Sequence, residues 1–210
     1  MDSFISRDLE NYIQNHSSGE SEVLQELRKI AREELNMPDM ICGPQVARFL
    51  QMLIKLGNCR RILEVGSFIG YSAVAMAEAM SEGKLITLEL EAKYAAISAP
   101  VFSRPEFSSK IEQRMGPAAK SINRLNGKFD LIFIDADKIS YPEYYHKTFP
   151  LLSDNGLMIF DNMLWRGEVV RPESEEAEVI SQLNKTIHND ERVSCLMLPV
   201  RDGLMMVMKR

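Results

Sequence analysis

A chain of 210 residues carries one full hydrophobic core and is too short for two enzyme domains of ordinary size. With 45% hydrophobic and 26% charged residues it reads as globular, which excludes collagen-like, low-complexity and disordered classes. Its formal net charge of -5 lacks the bulk positive field of a dedicated nucleic-acid binder.

The front of the chain reads as helical. Residues 3–15 and 20–35 carry the pattern, with Leu24, Leu27, Ile30 and Ala31 at helical spacing and charges on the other face. A loop at 36–43 follows, broken by Pro38, Gly43 and Pro44 around it. Residues 44–56 form another amphipathic helix on Val46, Phe49, Leu50, Leu53 and Ile54, ending at Gly57. From residue 60 short apolar runs alternate with helical stretches. The runs lie at 61–65, 84–90, 110–115, 129–135, 156–161, 194–200 and 204–209. Such alternation implies a mostly parallel, doubly wound sheet with helices on both faces. Only Arg201-Asp202-Gly203 separates the last two runs, and Asp-Gly predicts a tight antiparallel hairpin at the sheet edge.

Cys42, Cys59 and Cys195 are odd in number and widely spaced, which fits a reducing compartment and argues against a disulfide framework or a structural zinc site. No run approaches the ~18 apolar residues of a transmembrane helix. The first residues, Met-Asp-Ser-Phe-Ile-Ser-Arg-Asp, hold no apolar signal core, so a cytoplasmic location is expected.

Ligands of open α/β sheets bind at the carboxyl ends of the strands. The first run leads into Glu64-Val65-Gly66-Ser67-Phe68-Ile69-Gly70-Tyr71-Ser72. Gly66 and Gly70 flank a tight turn, and Ser72 stands where a helix begins, able to cap it or to bond a ligand carboxylate. The Gly-x-x-x-Gly spacing is neither the dinucleotide fingerprint nor a P-loop. Glu64 would repel a pyrophosphate and suits a ligand carrying an amino group. Glu89, followed by Leu90, ends the second run where an acid typically accepts two ribose hydroxyls. Gly116, Pro117 and Ala118 follow the third run and leave a shelf for a flat ring, although Pro at a first helical turn explains that segment equally well.

The fourth run delivers Asp135-Ala136-Asp137-Lys138 and the fifth delivers Asp161-Asn162. On neighbouring strands, Asp135, Asp161 and Asn162 converge as three oxygen ligands without His or Cys, a hard-cation set suited to Mg²⁺. Strand-end Asp and Asn also cap helices, but two adjacent ends with the same arrangement favour the metal. Lys138 beside a cation would favour its neutral form and so serve as general base; by spacing alone it is an exposed lysine.

Together these motifs, with Pro199-Val200-Arg201-Asp202-Gly203-Leu204, resemble the cation-dependent class I O-methyltransferases that use S-adenosylmethionine, among them the caffeoyl-CoA and catechol O-methyltransferases. The resemblance runs from about residue 36 to 210. It implies an α/β, Rossmann-like doubly wound sheet of seven strands, mostly parallel with an antiparallel edge strand, plus N-terminal helices. One methyltransferase domain would span 1–210, with 1–57 as lid or dimer contact and 58–210 as the cofactor- and metal-binding core.

By the same resemblance, Glu64, Gly66, Ser67, Gly70, Tyr71 and Ser72 hold the methionine half of the cofactor, and Met40 packs on it. Glu89 and Leu90 take the ribose; Gly116, Pro117 and Ala118 line the adenine. Asp135, Asp161 and Asn162 hold the metal, Asp135 also lying at the cofactor and at the catalytic centre. Lys138 is the catalytic base, and Trp165, in Asn-x-x-Trp-x-Gly, walls the substrate. The stretch after Trp165 is acidic (Glu168, Glu173, Glu175, Glu176, Glu178), with no basic insertion for a coenzyme A phosphate, so a free catechol or similar phenol is preferred. A homodimer without DNA or membrane partners is expected. Three other readings are a tRNA hydroxyuridine O-methyltransferase, disfavoured by the charge, a nicotinamide-dependent oxidoreductase, disfavoured by the missing fingerprint, and a binding protein without turnover, disfavoured by the intact metal set and Lys138.

Overall fold

The apolar runs become strands because their side chains can be buried on both faces. They are β1 (Arg61–Val65), β2 (Lys84–Glu89), β3 (Ile111–Met115), β4 (Phe129–Ile134), β5 (Leu152–Phe160), β6 (Val193–Leu198) and β7 (Leu204–Lys209). In the computed structural model, which describes residues 5–210 without the Arg7 side chain, they pair in the order β3-β2-β1-β4-β5-β7-β6. Strands β1 to β5 pair in parallel, and β7 is antiparallel to both its neighbours. The hairpin lies at the sheet edge as expected; β7 is its inner strand and β6, running with β5, is the border. The border strand β3 alternates Glu112, Gln113 and Arg114 with little burial, which suits an edge.

Period-two alternation divides the core. Ile62, Leu131 and Phe133 face one cluster, while Leu63, Val65, Ile132 and Ile134 face the other. Helices fill the crossovers: α1 (Arg7–Asn15), α2 (Glu22–Lys29), α3 (Gly43–Gly57), α4 (Tyr71–Ala79), α5 (Ala92–Phe102), α6 (Pro105–Ser108), α7 (Ala118–Ile122), α8 (Tyr141–Thr148) and α9 (Glu175–His188). Helix α4 is apolar all round because the sheet covers one side and α2 and α3 cover the other. Polar contacts fasten that outer layer. The Tyr71 hydroxyl donates to Glu20 Oε1 at 2.6 Å, and Arg28 pairs with the other Glu20 oxygen at 2.8 Å. No helix among the described residues is long and apolar enough to cross a membrane.

Boundaries differ from expectation in a few places. Residues 3 and 4 of the first expected helix lie outside the described residues. The second expected helix breaks into α2 and a π turn, Ile30–Glu34. Helix α3 ends at Gly57 as expected, and Asn58 caps it in the left-handed region (φ 47°). Strand β5 starts at Leu152, four residues early, across a register shift opposite β4.

The sheet order reverses between β1 and β4, which opens a crevice at their carboxyl ends. Backbone bonds carry each strand one residue past its end. Gly66 N donates to Leu88 O at 3.1 Å, Asp135 N to Val65 O at 2.9 Å, and Asp161 N to Ile134 O at 3.0 Å. Gly66 has φ 96°, and a Cβ there would lie 2.2 Å from the Asp135 carbonyl oxygen. Gly66→Ala is therefore expected to cost about 3 kcal/mol of unfolding free energy from strain and overlap. Urea denaturation of the two proteins measures it.

Candidate active site

A cavity of about 760 Å³ opens at the carboxyl rim of the sheet. One wall comes from the ends of β1, β2 and β3. Gly66 and Ser67 line it, followed by Tyr71 and Ser72 at the start of α4. Ser67 Oγ is buried there without a hydrogen-bond partner. Glu89 is buried at the same wall, its Oε1 accepting the N–H groups of Leu90 (2.9 Å) and Glu91 (2.8 Å). Those two bonds fix the carboxyl at the rim. Leu90, Gly116, Pro117 and Ala118 continue the wall, and open space surrounds the missing side chain of Gly116. Met40 covers this half from the loop before α3.

The other half gathers the polar ends of β4 and β5. Asp135, Lys138, Asp161, Asn162 and Trp165 all line it. Lys138 Nζ donates to Asp135 Oδ1 at 3.1 Å and to the Tyr141 hydroxyl at 2.7 Å. The Tyr141 hydroxyl in turn donates toward the carbonyls of Ile134 (3.2 Å) and Asp161 (3.1 Å), so the lysine rests on the two strand ends. Asp161 accepts from its neighbour Asn162 N at 2.7 Å. Burial, then the charge of Asp135, holds the Asp161 carboxyl above the usual carboxylate range, with Lys138 opposing. Two carboxylates at one cavity wall, the buried one held above the usual range, beside an amide residue form a donor set that fits a hard divalent cation. Among the described residues no cluster of three His, Cys, Asp or Glu side chains forms a larger metal cage. Trp165 reaches the wall through a left-handed run, with φ 44° at Trp165, 54° at Arg166 and 86° at Gly167.

Two expected site residues stand back from the cavity. Glu64 is fully buried beneath its floor, with Oε2 accepting from the Thr87 hydroxyl and Oε1 unpartnered. Gly70 faces the Phe102 ring, where a Cβ would lie 2.6 Å from two ring carbons. Its glycine serves α5 packing. Several lining residues went unread in the sequence, chiefly Arg201, Asp202 and Tyr94. Strand β6 runs with the parallel strands, so the turn after it reaches the same rim; that topology was the available signal.

The O-methyltransferase family model matches residues 14–210. The chain belongs to the O-methyltransferase family. Caffeoyl-CoA O-methyltransferase 1 of Eucalyptus globulus is 34% identical over 200 residues, covering 88% of this chain and 80% of that protein. Catechol O-methyltransferase domain-containing protein 1 of Mus musculus is 33% identical over 206 residues, covering 94% and 78%. The SAH-bound methyltransferase PaMTH1 of Podospora anserina superposes with a TM-score of 0.92 at 25% identity, covering 100% of both chains. The chain is thus an O-methyltransferase by class, with the Rossmann-like fold of that class, and the oxidoreductase reading falls away.

Within this O-methyltransferase, burial pushes the Glu64 carboxyl up to about 8 from its ordinary 4.5, with the Ser72 and Thr87 hydroxyls pulling the other way. A raised carboxyl pKa means the folded state holds a proton that the unfolded chain has released. Stability of the ligand-free protein should therefore fall as pH rises from about 4.5 to 8. Glu64→Gln should flatten that slope by at most ~1.4 kcal/mol per pH unit, read from urea titrations across the window.

Proposed function

We propose that this enzyme transfers the methyl group of S-adenosylmethionine to one hydroxyl of a small catechol-type phenol, with a divalent cation, Mg²⁺ by its ligand chemistry, at Asp135, Asp161 and Asn162. The observation that carries the reading is one cavity with two chemically distinct halves. A wall of Ser67, Ser72, Glu89 and Gly116 continues into a rim of paired carboxylates with Lys138 beside them.

The first half suits the cofactor. The unpartnered hydroxyl oxygen of Ser67 lies at the cavity wall, where an amino-acid group would satisfy it. Ser72, in the first turn of α4, is placed to donate to a carboxylate. Glu89, with Oε1 already engaged, turns its remaining acceptor capacity to ribose hydroxyls. The gap at Gly116 and the small side chain of Ala118 admit a flat adenine. Carboxylates along this wall favour a cationic sulfur over a pyrophosphate.

When bound, S-adenosylmethionine supplies an electrophilic methyl on a cationic sulfur, and the divalent cation lowers the pKa of an acceptor hydroxyl. The protein orients the acceptor. Asp135, Asp161 and Asn162 would hold the cation at two adjacent strand ends, and Trp165 would wall the aromatic ring. Lys138 Nζ receives the hydroxyl proton, kept in place by Tyr141. The rate gain comes from fixed orientation and from charges already in position.

Transfer of labelled methyl from S-adenosylmethionine to caffeate, with Mg²⁺ or with excess chelator, tests the reading. Transfer should occur with Mg²⁺, vanish with chelator, and fall at least about 100-fold in Asp161→Ala while S-adenosylhomocysteine still binds. Chelator-resistant transfer would remove the cation. No transfer to caffeate alongside methylation of hydroxylated tRNA would overturn the acceptor.

A further inference from the structure

Arg201 opens the turn between β6 and β7 with φ 50°, and its side chain lines the same cavity half as Asp161 and Asn162. Its Nη1 donates to the Cys42 carbonyl at 2.6 Å. The guanidinium lies against Gly43, where a Cβ would sit 1.6 Å from Nη1, so only glycine at that position leaves it room. A guanidinium carries five N–H donors in a rigid fork. Among the described residues no carboxylate lies within ion-pair distance of Arg201, although its charge reaches Asp161, and the Cys42 carbonyl is its one hydrogen-bond acceptor. The adjacent Asp202 is engaged elsewhere, its Oδ1 accepting from Arg166 N at 2.6 Å and its carboxylate also bonded by the Asn162 side chain. A half-buried guanidinium with free donors facing a ligand cavity is a carboxylate receptor by geometry and charge.

Two carboxylates can come within reach of this cavity, that of the cofactor and that of an acceptor. Under the proposed reading the cofactor's would be met by Ser67, Ser72 and the first turn of α4, which line the cavity. Arg201 stands on the hairpin turn stitched to the segment after β5, its guanidinium between that segment and the Cys42–Gly43 loop. Leu164 N donates to Asp202 O at 2.8 Å and Met163 N to Gly203 O at 3.0 Å. That segment carries Asn162 and Trp165, the acceptor end.

We propose that Arg201 recognises a carboxylate on the acceptor, so that the enzyme prefers ortho-dihydroxyaryl carboxylic acids to their neutral esters and thioesters. The proposal rests on the acceptor reading above and sharpens it. An ester or coenzyme A thioester carries no charge at that group and leaves the guanidinium unpaired, which costs binding.

The test compares kcat/KM for 3,4-dihydroxybenzoate and caffeate with that for their methyl esters, in the wild-type enzyme and in Arg201→Gln. Calorimetry adds the affinity of both proteins for S-adenosylhomocysteine, and of each loaded protein for 3,4-dihydroxybenzoate. Wild type should favour acids over esters by about 10-fold or more. Arg201→Gln should bring that ratio close to one and weaken acid binding similarly, with little change in S-adenosylhomocysteine affinity. Esters methylated as well as acids by wild type would overturn the proposal and leave the catechol reading standing. A ratio preserved in Arg201→Gln, with both rates reduced, would make Arg201 a strut for the Cys42 loop and overturn it too. Loss of S-adenosylhomocysteine affinity would assign the guanidinium to the cofactor instead. Methylation of neither acid nor ester would remove the acceptor reading and this proposal together.

Discussion

The site depends on a close backbone crossing at the switch point of the sheet. Gly66 has no side chain, so the turn after β1 passes directly over the Asp135 carbonyl at the end of β4. Anything larger would push apart the two strand ends that carry the two halves of the cavity. The same extension of the ladder places Gly116 beside Glu89 and Asp161 beside Ile134. The spatial order of strands thereby becomes an order of chemistry. Under the proposed reading, adenine, ribose, amino acid, proton acceptor and cation lie in sequence from β3 to β5, and the β6–β7 turn closes the acceptor end.

Electrostatics sets the second constraint. The cavity buries Glu64, Asp161 and Glu89 under or along its wall, with few cations among them. Glu64 and Asp161, held in this way, resist ionisation. Ligands carrying positive charge would relieve that penalty, which under the proposed reading favours a sulfonium and a divalent cation. The ligand-free protein bears that strain, and bound ligands should raise its stability by ordinary linkage. Lys138 offsets part of it, bridging Asp135 and the Tyr141 hydroxyl.

Much of this was legible in the sequence because strand ends announce themselves. Apolar runs that stop at Glu89, Asp135 or Asp161 locate a rim before any coordinates are known, and Asp202-Gly203 fixes the hairpin. Other features were not legible, for reasons that lie in tertiary contacts. Glu64 sits in a run buried on both faces, where sequence cannot say whether an acid points to ligand or beneath the floor. Gly70 answers to Phe102, a contact 32 positions away that no local spacing records. The left-handed run at Trp165 and Arg166 carries no sequence mark, since neither residue favours that region. Arg201 resembled an ordinary turn residue until the direction of β6 was known.

The proposed chemistry requires a cation site at the paired carboxylates of β4 and β5. Binding of Mn²⁺ in place of Mg²⁺, followed by electron paramagnetic resonance of the protein loaded with S-adenosylhomocysteine, tests it most directly. The account predicts a single Mn²⁺ per chain, displaced by excess Mg²⁺ and lost in Asp161→Ala. Binding that is absent, or that survives Asp161→Ala unchanged, would contradict it.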